Sequence, residues 1–293
     1  MAGCSNYTEQ NFLDFYYRRQ SVLTVSALYT RLFSTSHTDW DAGTGGTELT
    51  GTGYTQYGQV STIGTTDWNT AATQSNGYRT TNKATSAFSW AVGSDWPQVN
   101  GAGIYDGGLV GSNFLWGASF TTPRDPANGD TFRLHNGSAG LMQFDIDTTA
   151  AAGITNAAKQ ALLNHLFYGD VTQVPATAYI RLYTSATALN LYTGASGTEV
   201  SGGGYAALAV TSASAWHAAA SVGTGYHIHN SSAFNGWSAA SAAWGAIRYA
   251  ALVDSGGTNF YAIDQLASDV QIDNGDTFSI AADGWLISID ESN

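Results

Sequence analysis

Charge is what this chain of 293 residues lacks most: only 11% of its side chains are charged, against roughly 25% in an average soluble domain. The few charges are unbalanced, 10 Lys and Arg against 22 Asp and Glu, for a formal net charge of −12. Scarcity of basic groups argues against nucleic acid as a partner, because affinity for its backbone comes from Lys and Arg displacing counterions. An acidic surface instead keeps a protein soluble and discourages nonspecific contact with DNA. Cysteine occurs once, as Cys4, so an intramolecular disulfide is excluded, and an inert thiol near the terminus is expected. No run approaches the ~18 consecutive apolar residues of a membrane-spanning helix, so no membrane partner is expected. Met1-Ala2-Gly3-Cys4 has the outline of a lipoprotein cleavage site, but the apolar stretch required before the cysteine is missing. The expectation is a protein made in a cytoplasm that leaves it only as part of a particle. Gly, at 34 positions, follows no three-residue period, which excludes collagen. Aromatics at 13% with so little charge exclude a disordered chain.

What the sequence does contain is itself, twice. Tyr29-Thr30-Arg31-Leu32-Phe33-Ser34 matches Tyr179-Ile180-Arg181-Leu182-Tyr183-Thr184. Gly46-Thr47-Glu48-Leu49-Thr50-Gly51-Thr52-Gly53-Tyr54 matches Gly197-Thr198-Glu199-Val200-Ser201-Gly202-Gly203-Gly204-Tyr205. Trp68 matches Trp216, Trp96 matches Trp244, and Asn128-Gly129-Asp130-Thr131-Phe132 recurs identically as Asn274-Gly275-Asp276-Thr277-Phe278. Phe144-Asp145-Ile146-Asp147 returns as Ile287-Ser288-Ile289-Asp290. Each unit is about 145 residues long, the size of a domain and far beyond the roughly 20–50 residues of a solenoid repeat. The boundary falls in the short Ala/Thr/Gly stretch after Asp147, giving domains over 1–149 and 150–293 that are close enough to pack on each other.

Each repeat is expected to open with one short amphipathic helix. Thr8 would cap the first, which carries Phe12, Leu13, Phe15 and Tyr16. Thr155 would cap the second, which carries Ala158, Leu162, Leu163, Leu166 and Phe167 and stops at Gly169. The rest reads as six to eight strands per repeat. Ala178-Tyr179-Ile180-Arg181-Leu182-Tyr183 alternates as a half-buried strand must, and Asn-Gly before Asp-Thr-Phe predicts a two-residue hairpin turn. With no long second helix to cover a parallel sheet, two antiparallel sheets should pack face to face. The expected class is therefore mainly β: two tandem homologous antiparallel β-sandwiches, with the jelly roll as one form, each opening with a short α-helix.

Chemistry-bearing patterns are few. Gly202-Gly203-Gly204 lacks the Lys and Ser/Thr of a phosphate-binding loop and reads as a turn before a strand. No Gly-x-Ser-x-Gly elbow is present. The close carboxylates Asp39/Asp41 and Asp145/Asp147 show no sign of the matched pair a glycosidase needs. The expectation is no enzyme, no cofactor and no catalytic residue. His227-Ile228-His229 puts two imidazoles on one strand face about 7 Å apart, a weak metal candidate if three chains meet on an axis, at positions where the first repeat has Arg79, Thr80 and Thr81. The Trp residues shared by both repeats read as core anchors. Trp40, Trp116 and Trp285, with no clear counterpart, are candidates for a protein interface or a sugar platform.

The Tyr179–Tyr183 strand followed by Gly197-Thr198-Glu199-Val200-Ser201-Gly202-Gly203-Gly204-Tyr205-Ala206, with Trp244-Gly245, Val253-Asp254 and Asn274-Gly275-Asp276-Thr277, resembles a module of virion structural proteins of tailed bacteriophages. The resemblance covers most of the second repeat and, more weakly, the first, where Leu49 replaces Val200 and Gly51-Thr52-Gly53 replaces the triple Gly. It implies a virion protein that binds other virion proteins (major capsid, tail or collar) and forms a homo-oligomer such as a trimer. Decoration or cementing of the capsid is the first expectation; a tail fibre, collar or glycan-binding host-receptor protein is the alternative. It carries over no catalytic residue.

Overall fold

The computed structural model describes all residues except 1, 19–24, 26, 41, 57, 62, 65, 75–76, 84–87, 135–142, 148–152, 166–176, 212, 223–224 and 290–293. The first repeat contains β1 (Ala2–Cys4), α1 (Asn6–Arg18), β2 (Leu28–Thr35), β3 (Thr47–Glu48), β4 (Gln59–Ser61), β5 (Ala72–Gln74), β6 (Gly77–Thr81), β7 (Ser89–Ala91), β8 (Val99–Tyr105), β9 (Phe114–Arg124), β10 (Thr131–Arg133) and β11 (Gln143–Asp147). The second contains β12 (Gly153–Ile154), α2 (Asn156–Leu163), β13 (Ala178–Thr184), β14 (Leu208–Val210), β15 (Ala220–Val222), β16 (Gly225–His229), β17 (Gly245–Val253), β18 (Phe260–Ile272) and β19 (Leu286–Ile289).

The chain is mainly β, and among the described residues every strand pairing is antiparallel. Each repeat builds one large and one small sheet. The large sheets run β1-β9-β8-β2-β3, with β4 also on β2, and β12-β18-β17-β13-β14. The small ones run β11-β6-β5 and β15-β16-β19; the first repeat also has a two-stranded β10-β7 ribbon, where the second has the single bridge Phe234–Ile280 among the described residues.

The predicted hairpins are not there. Asn128-Gly129 and Asn274-Gly275 do form tight turns, closed by Asp130 N–H donating to Ala127 O and Asp276 N–H to Asp273 O. Only the glycines adopt positive φ, 89° and 91°, so the mirror-image turn that suits a two-residue hairpin does not form. The first of these turns links two sheets: β9 pairs with β8 and β1, β10 with β7.

The helices are placed as expected, but the first cap is one residue of another kind. Ser5 accepts from the N–H of Thr8, while Thr8 lies inside α1 and donates its hydroxyl to Leu115 O. The chain enters α1 directly from β1, so the last extended residue, Ser5, takes the capping position. Thr155 caps α2 and binds Phe260 O, as Ser5 binds Phe114 O. Leu166, Phe167 and the proposed stop at Gly169 lie outside the described residues.

The two repeats exchange their helices. α1 touches its own β9 but packs on β16 and β15 of the second repeat; α2 touches its own β18 but packs on β6 of the first. The exchange is symmetric in detail. Asp14 of α1 accepts from Ala219 N–H at 2.9 Å, and Asn164, at the equivalent place after α2, accepts from Ala71 N–H at 3.0 Å. Phe15 and His165, also equivalent, stack on each other with ring centroids 5.4 Å apart. Tyr17 donates to Tyr261 O and packs against Trp216. Each helix is thus held between its own large sheet and the other repeat's small sheet. One hydrophobic core runs through both repeats, from Leu13 and Trp68 to Leu163 and Trp285.

Candidate functional site

The shared motif explains itself once folded. In the first repeat Glu48 faces Arg31 (3.8 Å) and accepts from the Tyr54 hydroxyl (2.8 Å), which in turn accepts from Leu32 N–H. In the second, Glu199 binds Arg181 (2.8 Å) and Tyr205 (3.3 Å), and Tyr205 accepts from Leu182 N–H. Trp96 and Trp244 lie edge-on to these tyrosines and donate their indole N–H to Thr52 O and Gly203 O. The glycines serve this arrangement. Gly203 sits at φ +54, and a Cβ there would lie 2.5 Å from Ala242 O. Burial, reinforced by the neighbouring glutamate, pushes the Tyr54 hydroxyl well above its ordinary range. Burial does the same for Tyr205, outweighing its hydrogen bond from Leu182. Both phenols therefore stay protonated as donors to glutamate. Arg, Glu, Tyr and Trp at these spacings form a structural brace, repeated because both repeats need it.

The sites that do not repeat are more informative. Trp116 and Trp285 are 0% and 1% exposed. They are core residues, which corrects the expectation that they form an interface. Trp116 lacks a counterpart because the β18 position paired with Leu252 is Ala262, while β9 places Trp116 opposite Ile104. Trp40 is half-buried. It lies on the outer face of the first large sheet against Phe33, His37 and Phe114 and donates to the Ser119 hydroxyl at 2.9 Å. Gly117 makes room for it, since a Cβ there would stand 2.5 Å from the indole. His37 is buried in this aromatic group, and that burial lowers its pKa.

A more exposed feature was not legible in the sequence. The β8–β9 loop, Asp106–Asn113, carries Leu109 at 73% and Val110 at 78% exposure. It is firmly built. Asn113 donates twice to the Asp106 carboxylate, Ser112 donates to Leu109 O, and Arg31 reaches Gly107 O and Leu109 O at 3.0 Å each. The equivalent Asp254–Asn259 loop is shorter and has no such apolar pair.

The histidines fall differently from the expected pattern. His229 does not rely on His227 alone. His217 and Asp283, from two other segments, join it: Asp283 Oδ1 is 2.6 Å from His229 Nδ1 and 3.3 Å from His217 Nε2. The ring of His227 lies 5.6 Å from that of His229, and its pKa is lowered by burial and by that neighbour. In the first repeat the positions of His217 and His229 hold Asn69 and Thr81, joined by a 2.8 Å hydrogen bond.

No curated protein matches the chain. A family model described as podophage GP4 fiber I protein gp80 matches it in two tandem segments, residues 3–142 and 153–288. These are the two repeats, and together they take in nearly all of the sequence. The chain therefore belongs to this family of phage virion structural proteins.

Proposed function

We propose that the chain is a fibre component of a podophage particle, working by attachment rather than by turnover of a substrate. The observation that carries this reading is that the fibre family's model fits both repeats. Three features support it. The interlocked helices and continuous core make a stiff body, suited to transmitting load. The acidic, lysine-poor surface discourages adhesion to packaged DNA. The Leu109-Val110 tip, held by Arg31 and Asp106, offers a preformed apolar contact to a neighbouring virion protein or a second copy.

The test is to purify particles, quantify the chain by mass spectrometry and image the particles by cryo-electron microscopy. Density for the chain projecting from the tail or its junction with the head is expected. Density spread over the capsid lattice would instead favour decoration, and absence from particles would end both readings.

A further inference from the structure

We propose that His217, His229 and Asp283 form a binding site for a divalent transition-metal cation in the second repeat. The inference does not depend on where the protein sits in the particle. The ligand atoms, one from each side chain, all lie within 4.8 Å of one another. They come from three separate segments. His217 follows the single-turn helix Ala213–Ala215, His229 ends β16, and Asp283 sits in the turn before β19.

The chemistry of the set favours a cation of the zinc class. Neutral imidazoles suit first-row metals, and a carboxylate supplies negative charge. Zinc holds N and O ligands at about 2.0–2.2 Å in a tetrahedron, which puts ligand atoms roughly 3.4 Å apart. The separation of His217 Nε2 from Asp283 Oδ1, 3.3 Å, already matches. The 2.6 Å contact of His229 with the same oxygen is a hydrogen bond, and an outward shift of that carboxylate by about 1 Å turns it into a shared-metal spacing. Such a shift is open to it, because the Asp283 side chain is 62% exposed. The metal takes the place of the proton on that bond, as ligation requires. Three protein ligands leave a coordination position toward solvent, since the His217 side chain is also 48% exposed.

The site is formed within one chain, so it needs no three-fold axis. It also belongs to one repeat only: Asn69 and Thr81 occupy the equivalent of the two histidines. Binding would fasten the turn before β19 to β16 and to the segment of Trp216, which packs on α1 through Tyr17.

The full-length chain, freed of metal with EDTA, is titrated with Zn2+ by calorimetry, and Co2+ is used as a spectroscopic probe. One equivalent of Zn2+ should bind, Co2+ should give the visible bands of a low-coordinate N/O site, and Zn2+ should raise the melting temperature. His217→Asn and His229→Thr install the first repeat's residues, and Asp283→Asn keeps a residue that tolerates the positive φ of 58° found there. Each should weaken Zn2+ by more than about 100-fold, beyond the 10–100-fold cost of losing a mere supporting partner. Their metal-free melting temperatures should stay close to the parent's, showing that the fold is intact. His227→Gln should leave binding within about threefold of the parent, because that imidazole is outside the ligand set. Binding that survives all three ligand variants, or that His227→Gln removes as completely as they do, would overturn the assignment.

Discussion

Set side by side, the two repeats separate what the fold requires from what only one of them carries. Both have the Arg–Glu–Tyr–Trp brace, the Ser5/Thr155 cap reaching to the first residue of β9 or β18, and the acceptor at Asp14 or Asn164 that meets the other repeat's backbone. Only the first has the Leu109-Val110 tip and the Trp40–His37 group; only the second has the His217–His229–Asp283 cluster. The shared features hold the molecule together, whereas the tip and the histidine–aspartate cluster are exposed and Trp40 is half-buried. The helix exchange follows the same logic. It is the arrangement that a two-fold dimer of a one-repeat chain would have, here contained in a single polypeptide.

Breaking the exchange should have the largest effect. Leu13 and Leu163, equivalent residues of α1 and α2, are both fully buried, so Leu13→Ala and Leu163→Ala should each cost about 2–5 kcal/mol. Each should lower one common transition in chemical denaturation; destabilisation confined to one repeat would show that the repeats unfold independently. Next come the reciprocal acceptors. Asn164→Ala and Asp14→Ala each strand a backbone N–H of the other repeat, at about 1–3 kcal/mol. Asn164→Asp and Asp14→Asn preserve an acceptor and should cost less than the alanine variants at the same positions, read by the same denaturation curves.

The brace sharpens the contrast further. Arg31 is buried, lies over the Tyr105 ring and holds the apolar tip as well as facing Glu48. Arg31→Ala should cost about 1.5–3 kcal/mol, as loss of hydrogen bonds to a charged group does. Arg181→Ala should cost less, because its ion pair is more exposed and better screened. The smallest effect on stability is expected at the tip. Leu109→Ser with Val110→Ser should change stability by no more than about 0.5 kcal/mol, yet lower the amount of chain in purified particles. Unchanged incorporation would remove the tip from the account of attachment.

Much of the scaffold could be read from the residues. Duplication placed the repeats, period-two alternation placed β13, and Trp recurrence in register marked Trp68, Trp96, Trp216 and Trp244 as core. What stayed hidden was long-range. Nothing local tells Leu13 that its small-sheet partner belongs to the other repeat, because an amphipathic stripe looks the same whichever surface covers it. The Asn-Gly turns were visible, but not that their flanking strands pair elsewhere. His229 was picked out by its neighbour on the strand, whereas its nearer companions, His217 and Asp283, lie 12 and 54 positions away in the sequence. Comparison of the repeats could have marked His217, which replaces Asn69 in otherwise matching surroundings. Trp116 and Trp285 show that lack of a counterpart does not imply an interface: both are core residues, and Trp116 stands where the second repeat has the smaller Ala262.

Whether the two repeats are one interlocked body can be decided by differential scanning calorimetry of the intact chain. Exchanged helices predict a single transition whose calorimetric and van't Hoff enthalpies agree. Two resolved transitions, each assignable to one repeat by the Leu13→Ala and Leu163→Ala variants, would contradict it.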